Sequence, residues 1–183
     1  IEIIRGIENG VDVSVYCKEE FNAAQMKALR LGLEEKLDVS RFADAQYDYM
    51  QMEELKQAVR SGMNMDDICN PKFSHSVMRE IRLASELNYD LTRYAKLGYS
   101  GEVLRQIRLA KKEDIDLTFF VEDNYDEYQL NEIRLGIHSC VDITKYLLHE
   151  YNGKQMEQIR LGLEEGIDVT PYNMVGFSSG QMK

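Results

Sequence analysis

The chain has 183 residues, 44% of them hydrophobic, and a net charge of −10. The apolar share is ordinary for a folded protein, while the acid excess argues against sequence-independent binding to a phosphate backbone, which needs clustered Lys and Arg. No apolar run is long enough to cross a bilayer, so neither a nucleic-acid nor a membrane partner is expected.

A Gln or Val followed by Met or Leu recurs at one constant spacing, at Gln25-Met26, Gln51-Met52, Val77-Met78, Val103-Leu104, Gln129-Leu130, Gln155-Met156 and Gln181-Met182. A fixed period of this size marks a repeat array. Full units run 23–48, 49–74, 75–100, 101–126, 127–152 and 153–178. Residues 1–22 correspond to unit positions 5–26 and residues 179–183 to positions 1–5. The whole of 1–183 therefore reads as one array, and its start at Ile1 reads as a piece of a longer protein.

Each unit opens on a well-specified helix start. The preceding residue is Asn22, Asp48, Ser74, Ser100, Asp126, Asn152 or Ser178, all side chains that accept an orphan backbone N–H as N-caps. Gln at the third helical position completes a capping box in five copies, and the aromatic before each cap (Phe21, Tyr47, Phe73, Tyr99, Tyr125, Tyr151, Phe177) can staple onto the Met or Leu at the fourth. Apolar residues at positions 4, 7 and 11, as in Met156, Ile159 and Leu163, share one face. Position 10 is always Gly or Ala, which reads as a point of close approach between neighbouring helices. Gly10, Gly62, Asn88 and Gly166 suit the left-handed residue that ends a helix.

A link of apolar–Asp–apolar character follows, as in Ile167-Asp168-Val169. The next residue (Ser14, Ser40, Asp66, Thr92, Thr118, Thr144 or Thr170) reads as a second N-cap, and Pro171 after Thr170 suits a first helical turn. An aromatic lies two residues further on in six of seven copies. Without sustained strand alternation, the expected fold is all-α: an α-solenoid of 26-residue repeats, each one long helix plus one short helix.

Two charged columns stand out. Arg30, Lys56, Arg82, Arg108, Arg134 and Arg160 share position 8, and Asp12, Asp38, Asn64, Asp90, Asp116, Asp142 and Asp168 share position 16. Lys56 and Asn64 weaken both columns in one repeat, which points to an Arg–Asp ladder rather than a phosphate-binding stripe. Leu31, Leu83, Leu109, Leu135 and Leu161 form a further column, read as covered by a neighbouring short helix. Cys17 and Cys69 fall in one column two units apart, beyond disulfide reach; with Cys140 they read as free thiols of a reducing, cytoplasmic setting. His138, Cys140 and His149 fit no zinc spacing, and no nucleophile elbow or phosphate loop is present. No metal, cofactor or catalytic residue is expected.

Positions 22–24 differ in every copy while the framework stays fixed. This variable loop is the expected partner-binding edge, with Asp44, Gln46, Lys72, Lys96, Glu122, Asp123, Asn124, Leu148, His149, Glu150 and Met174 as candidate contacts. The run Gln155-Met156-Glu157-Gln158-Ile159-Arg160-Leu161-Gly162, continuing to Tyr172, resembles a short helical repeat of uncharacterised mobile-element proteins from anaerobic gut bacteria. The resemblance implies an accessory bacterial repeat region and carries no activity or site residues. The expected role is a non-enzymatic scaffold for a protein partner. The alternatives are an acidic decoy that occupies a nucleic-acid-binding protein, or an accessory region of a larger enzyme.

Overall fold

The structure is a computed structural model that describes residues 1–183. It is all-α, with no strand. Seven longer helices are α1 (Glu2–Glu8), α2 (Ala23–Glu34), α3 (Tyr49–Arg60), α4 (His75–Ser85), α6 (Gly101–Lys112), α8 (Glu127–His138) and α9 (Gly153–Glu164). Two short helices, α5 (Thr92–Lys96) and α7 (Thr118–Glu122), lie between them. No helix is long and apolar enough to cross a membrane. The chain divides into two compact units, Ile1–Gly101 and Glu102–Lys183. In the first, α1, α2, α3 and α4 pack in chain order, and in the second α8 packs on α9.

From α2 onward each long helix starts on the first residue of a sequence unit, because the caps act where expected. Asn22, Asp48, Asp126 and Asn152 each form a complete capping box with the Gln three residues on. The staple aromatics Phe21, Tyr47, Phe73, Tyr125 and Tyr151 are buried, as are Met52, Met78, Leu104, Leu130 and Met156 at the fourth helical position. Position 14 takes a left-handed conformation in all seven copies: Gly10, Lys36, Gly62, Asn88, Asp114, Cys140 and Gly166 have φ between 53° and 73°. Three of these, Lys36, Asp114 and Cys140, give no compositional sign of it, since the helix end imposes that geometry whatever the residue.

The links between long helices differ from expectation. Only two contain an α-helix; residues 13–15, 65–67 and 143–145 form single 3-10 turns, and 39–47 and 169–177 hold turns alone. The cap also sits two residues earlier than expected. Asp12, Asn64 and Asp142 accept the backbone N–H of Ser14, Asp66 and Thr144, and Asp38, Asp90, Asp116 and Asp168 do the same for Ser40, Thr92, Thr118 and Thr170. The position-16 column thus builds the link itself.

Position 3 goes with which link forms. Gln25, Gln51, Gln129 and Gln155 accept the cap N–H through Oε1. Each also donates from Nε2 to two carbonyls of the following link: Ala45 and Tyr47, Pro71 and Phe73, His149 and Tyr151, Val175 and Phe177, at 2.6–3.3 Å. Val77 and Val103 have no such donor, and their links are the two that coil into α5 and α7. Those links close on their own backbone, ended by left-handed Gly98 and Asn124.

The small residue at position 10 serves a different purpose from the one expected. A Cβ on Gly6, Gly136 or Gly162 would lie within 1.9 Å of the hydroxyl of Tyr16, Tyr146 or Tyr172, the aromatic of the same repeat's link. The Tyr146 hydroxyl there donates to the Glu132 carbonyl at 3.1 Å. Ala58 and Ala110 precede links that carry Ile68 and Phe120, which have no hydroxyl, and Ala84 precedes a link whose Tyr94 is held within α5. The close approach between helices occurs instead at position 1, where a Cβ on Gly153 would come within 3.0 Å of the Tyr128 backbone. Gly136→Ala should therefore cost about 1–3 kcal/mol by overpacking, and adding Tyr146→Phe should recover part of it. Equilibrium urea unfolding of the two variants measures both; a neutral Gly136→Ala would show that the hydroxyl does not exclude a methyl group.

Candidate functional site

The position-8 cations do form a ladder, but not with the position-16 Asp column, whose carboxylates are taken up by link N–H groups. Three of the Arg side chains reach back to a Glu at position 6 of the preceding repeat. Arg30 Nε meets Glu2 at 2.9 Å, Arg82 Nη2 meets Glu54 at 3.0 Å, and Arg160 Nε meets Glu132 at 2.8 Å. The same guanidinium holds a second carboxylate one turn on, at Glu34, Glu86 or Glu164. Arg134 finds Gln106 at position 6 and takes Glu113 at 2.7 Å instead. Lys56 follows a repeat whose position-6 residue is Ala28, and it pairs within its own helix with Glu53. The weakening at Lys56 thus tracks Ala28 rather than Asn64. The bond from Arg30 holds the Glu2 carboxyl below its ordinary value. The Leu column is half-buried, apart from the exposed Leu161.

The variable-loop residues are exposed, as their positions predict. Asp44 turns its carboxylate onto the N–H and side chain of Gln46 and so builds its own turn. Lys72 and Lys96 lie at separate links, and Met174 is exposed beside Val175. Only the loops at 122–124 and 148–150 come together: His149 stacks on Tyr125 with centroids 4.1 Å apart and lies 3.1 Å from Asp123. Leu148 and Glu150 flank His149 in the chain, as Glu122 and Asn124 flank Asp123. His138 lies 3.8 Å from Glu113, so the two His residues serve separate contacts. Cys17, Cys69 and Cys140 are free thiols. Burial, above all, raises the Cys69 thiol, and it pushes the nearby Tyr47 hydroxyl up to about 12.

A cleft of about 740 Å³ lies in residues 102–183, and none of these loop residues lines it. It runs along the first turns of α6, α8 and α9, and Glu102, Arg105, Glu127, Tyr128, Lys154 and Glu157 line it. All six occupy unit positions 1, 2 or 5. Position 2 reads Ala24, Met50, Ser76, Glu102, Tyr128 and Lys154 along the chain, and position 5 reads Lys27, Glu53, Arg79, Arg105, Asn131 and Glu157. Position 2 differs in all six full repeats and position 5 takes four residue types, while positions 3, 4, 7 and 8 hold nearly constant. The comparison of columns that singled out the loop could have found them; as charged helix surface they read as solvation. No family model matches the chain, and no curated protein or solved structure shows detectable similarity to it.

Two outcomes test this electrostatic frame. Arg160→Ala leaves Glu132 buried without its cation and should cost roughly 3–5 kcal/mol, whereas removing both partners should cost less than the two single changes added together; a double-mutant cycle in urea reads the coupling. Bonds from Ser14, Ser40, Thr144 and Thr170 lower the carboxyls of Asp12, Asp38, Asp142 and Asp168. Their contribution is present above the unfolded-state value near ~3.9 and is lost as pH falls through the lower native values. Replacing Asp38 and Asp168 by Asn, the residue already used at Asn64, should flatten that acid loss in melts taken from roughly pH 5 down to pH 2. An unchanged acid limb would show that these carboxyls do not titrate with folding.

Proposed function

We propose that the chain is an α-solenoid of 26-residue repeats and works as a non-enzymatic scaffold that binds a protein partner. The observation that carries this reading is the cleft of residues 102–183. Its walls come from variable helix columns, set on a framework of caps, Gln clamps and Arg–Glu pairs that changes far less. A fixed frame with variable exposed columns is how repeat proteins present extended binding surfaces. The loops at 122–124 and 148–150, joined through His149 and Asp123, offer a second edge on the same repeats. An acidic decoy would want an unbroken run of carboxylates, and Arg105 and Lys154 interrupt it. The three free thiols favour a reducing, cytoplasmic setting.

The test is capture of protein from a lysate on the immobilised chain, followed by calorimetric titration with the purified captured protein. Saturable binding at a fixed stoichiometry is the expected result. Failure of every captured protein to bind once purified would overturn the scaffold reading.

A further inference from the structure

We propose that the cleft between the first turns of α6, α8 and α9 is a docking site for an extended cationic peptide segment of a partner protein, with an apolar side chain of that segment seated on Tyr128. This rests on the scaffold reading and assigns its partner a chemistry. Three observations converge. Tyr128 is 68% exposed at the middle helix of the cleft, a large amphipathic ring with no cover. Carboxylates in the lining outnumber cations, and Glu102, Glu127 and Glu157 are engaged by no ion pair, while Glu132 is already neutralised by Arg160. The volume, about 740 Å³, falls within the range of clefts that hold ligands.

The shape suits a strand better than a globular face. Three helices at the usual spacing of ~8–10 Å cover roughly 16–20 Å, the length of about five or six extended residues. Position 2 places Glu102, Tyr128 and Lys154 in one row, and position 5 places Arg105, Asn131 and Glu157 in the next. A segment laid across the helices meets acid near α6, an aromatic at α8 and acid again near α9. Glu127, beside Tyr128, adds a third free carboxylate at the centre. Arg105 and Lys154 set the register by repelling a cation placed opposite them. A phosphate backbone would meet the free carboxylates of Glu102, Glu127 and Glu157 between those two cations.

The experiment uses the full chain and two fluorescein-labelled hexapeptides, Arg-Gly-Leu-Lys-Gly-Arg and the same peptide with Glu at each cation, read by fluorescence anisotropy. The cationic peptide should bind saturably and the acidic one should not. Glu127→Lys with Glu157→Lys should weaken the cationic peptide by roughly tenfold or more. Glu8→Lys with Glu165→Lys makes the same charge change at exposed positions outside the cleft and should leave binding within about twofold. Tyr128→Ala should weaken the Leu-containing peptide more than a version with Gly in place of Leu. Circular dichroism and thermal melts confirm that each variant folds; the substituted side chains are surface groups outside the packed core. Equal weakening by the two double variants would reduce the effect to general attraction and overturn the proposal, as would equal binding of the acidic peptide or preferential binding of an oligothymidylate. If the peptides fail while a purified captured protein still binds, the docking assignment falls and the scaffold reading stands; if that protein also fails, both fall.

Discussion

Everything in this fold depends on satisfying the backbone of a short link in the space between two long helices. The link must leave one helix, turn twice and start the next, and few of its polar groups can find partners in regular structure. Buried amide groups without partners are costly, so each link needs an outside donor or must make its own. Gln25, Gln51, Gln129 and Gln155 supply that donor, each with one amide serving its own helix start and the link that follows. Where Val77 and Val103 stand, the link coils into a five-residue helix and closes on itself. No buried side-chain polar atom is left without a partner.

That closure explains what surrounds it. The link aromatic is pressed onto the helix of its own repeat, so the helix needs Gly where the aromatic carries a hydroxyl, as at Gly136 beneath Tyr146. The position-16 Asp starts the link by accepting the backbone N–H two residues on. The guanidinium instead lies along the seam between successive helices, where Glu132 and Glu164 both reach Arg160. The buried framework side chains are thus committed to one another, while the link edge and the outer columns of the first helical turn stay exposed.

The parts of this structure that were legible in the sequence are the ones specified locally. Caps, staples and helix ends act within four or five residues, so Asn22 with Gln25 or Tyr151 with Met156 announce themselves without knowledge of packing. The Arg partner was misread because it depends on stacking register: position 8 meets position 6 of the previous repeat, two positions off the repeat period, and the coincidence of Lys56 with Asn64 pointed the wrong way. Gly136 was misread because a helix–helix contact and a helix–tyrosine contact both call for a small residue. The cleft was missed because Glu127, Lys154 and Glu157 look like ordinary solvated helix surface until three first turns are placed side by side.

The Arg–Glu seam has a direction. Where the pair forms, as at Glu2 with Arg30, Glu54 with Arg82 and Glu132 with Arg160, the earlier repeat offers the carboxylate and the later one the cation, so the two sides of such a unit are not interchangeable. A stretch of whole periods inserted between existing repeats keeps this spacing of position 8 on position 6, whereas a stretch that is not a whole number of periods moves Arg off its Glu. A seam joined in this register survives copying in whole periods, so the outer helix columns are left to diverge copy by copy while the Arg–Glu pairs keep their spacing.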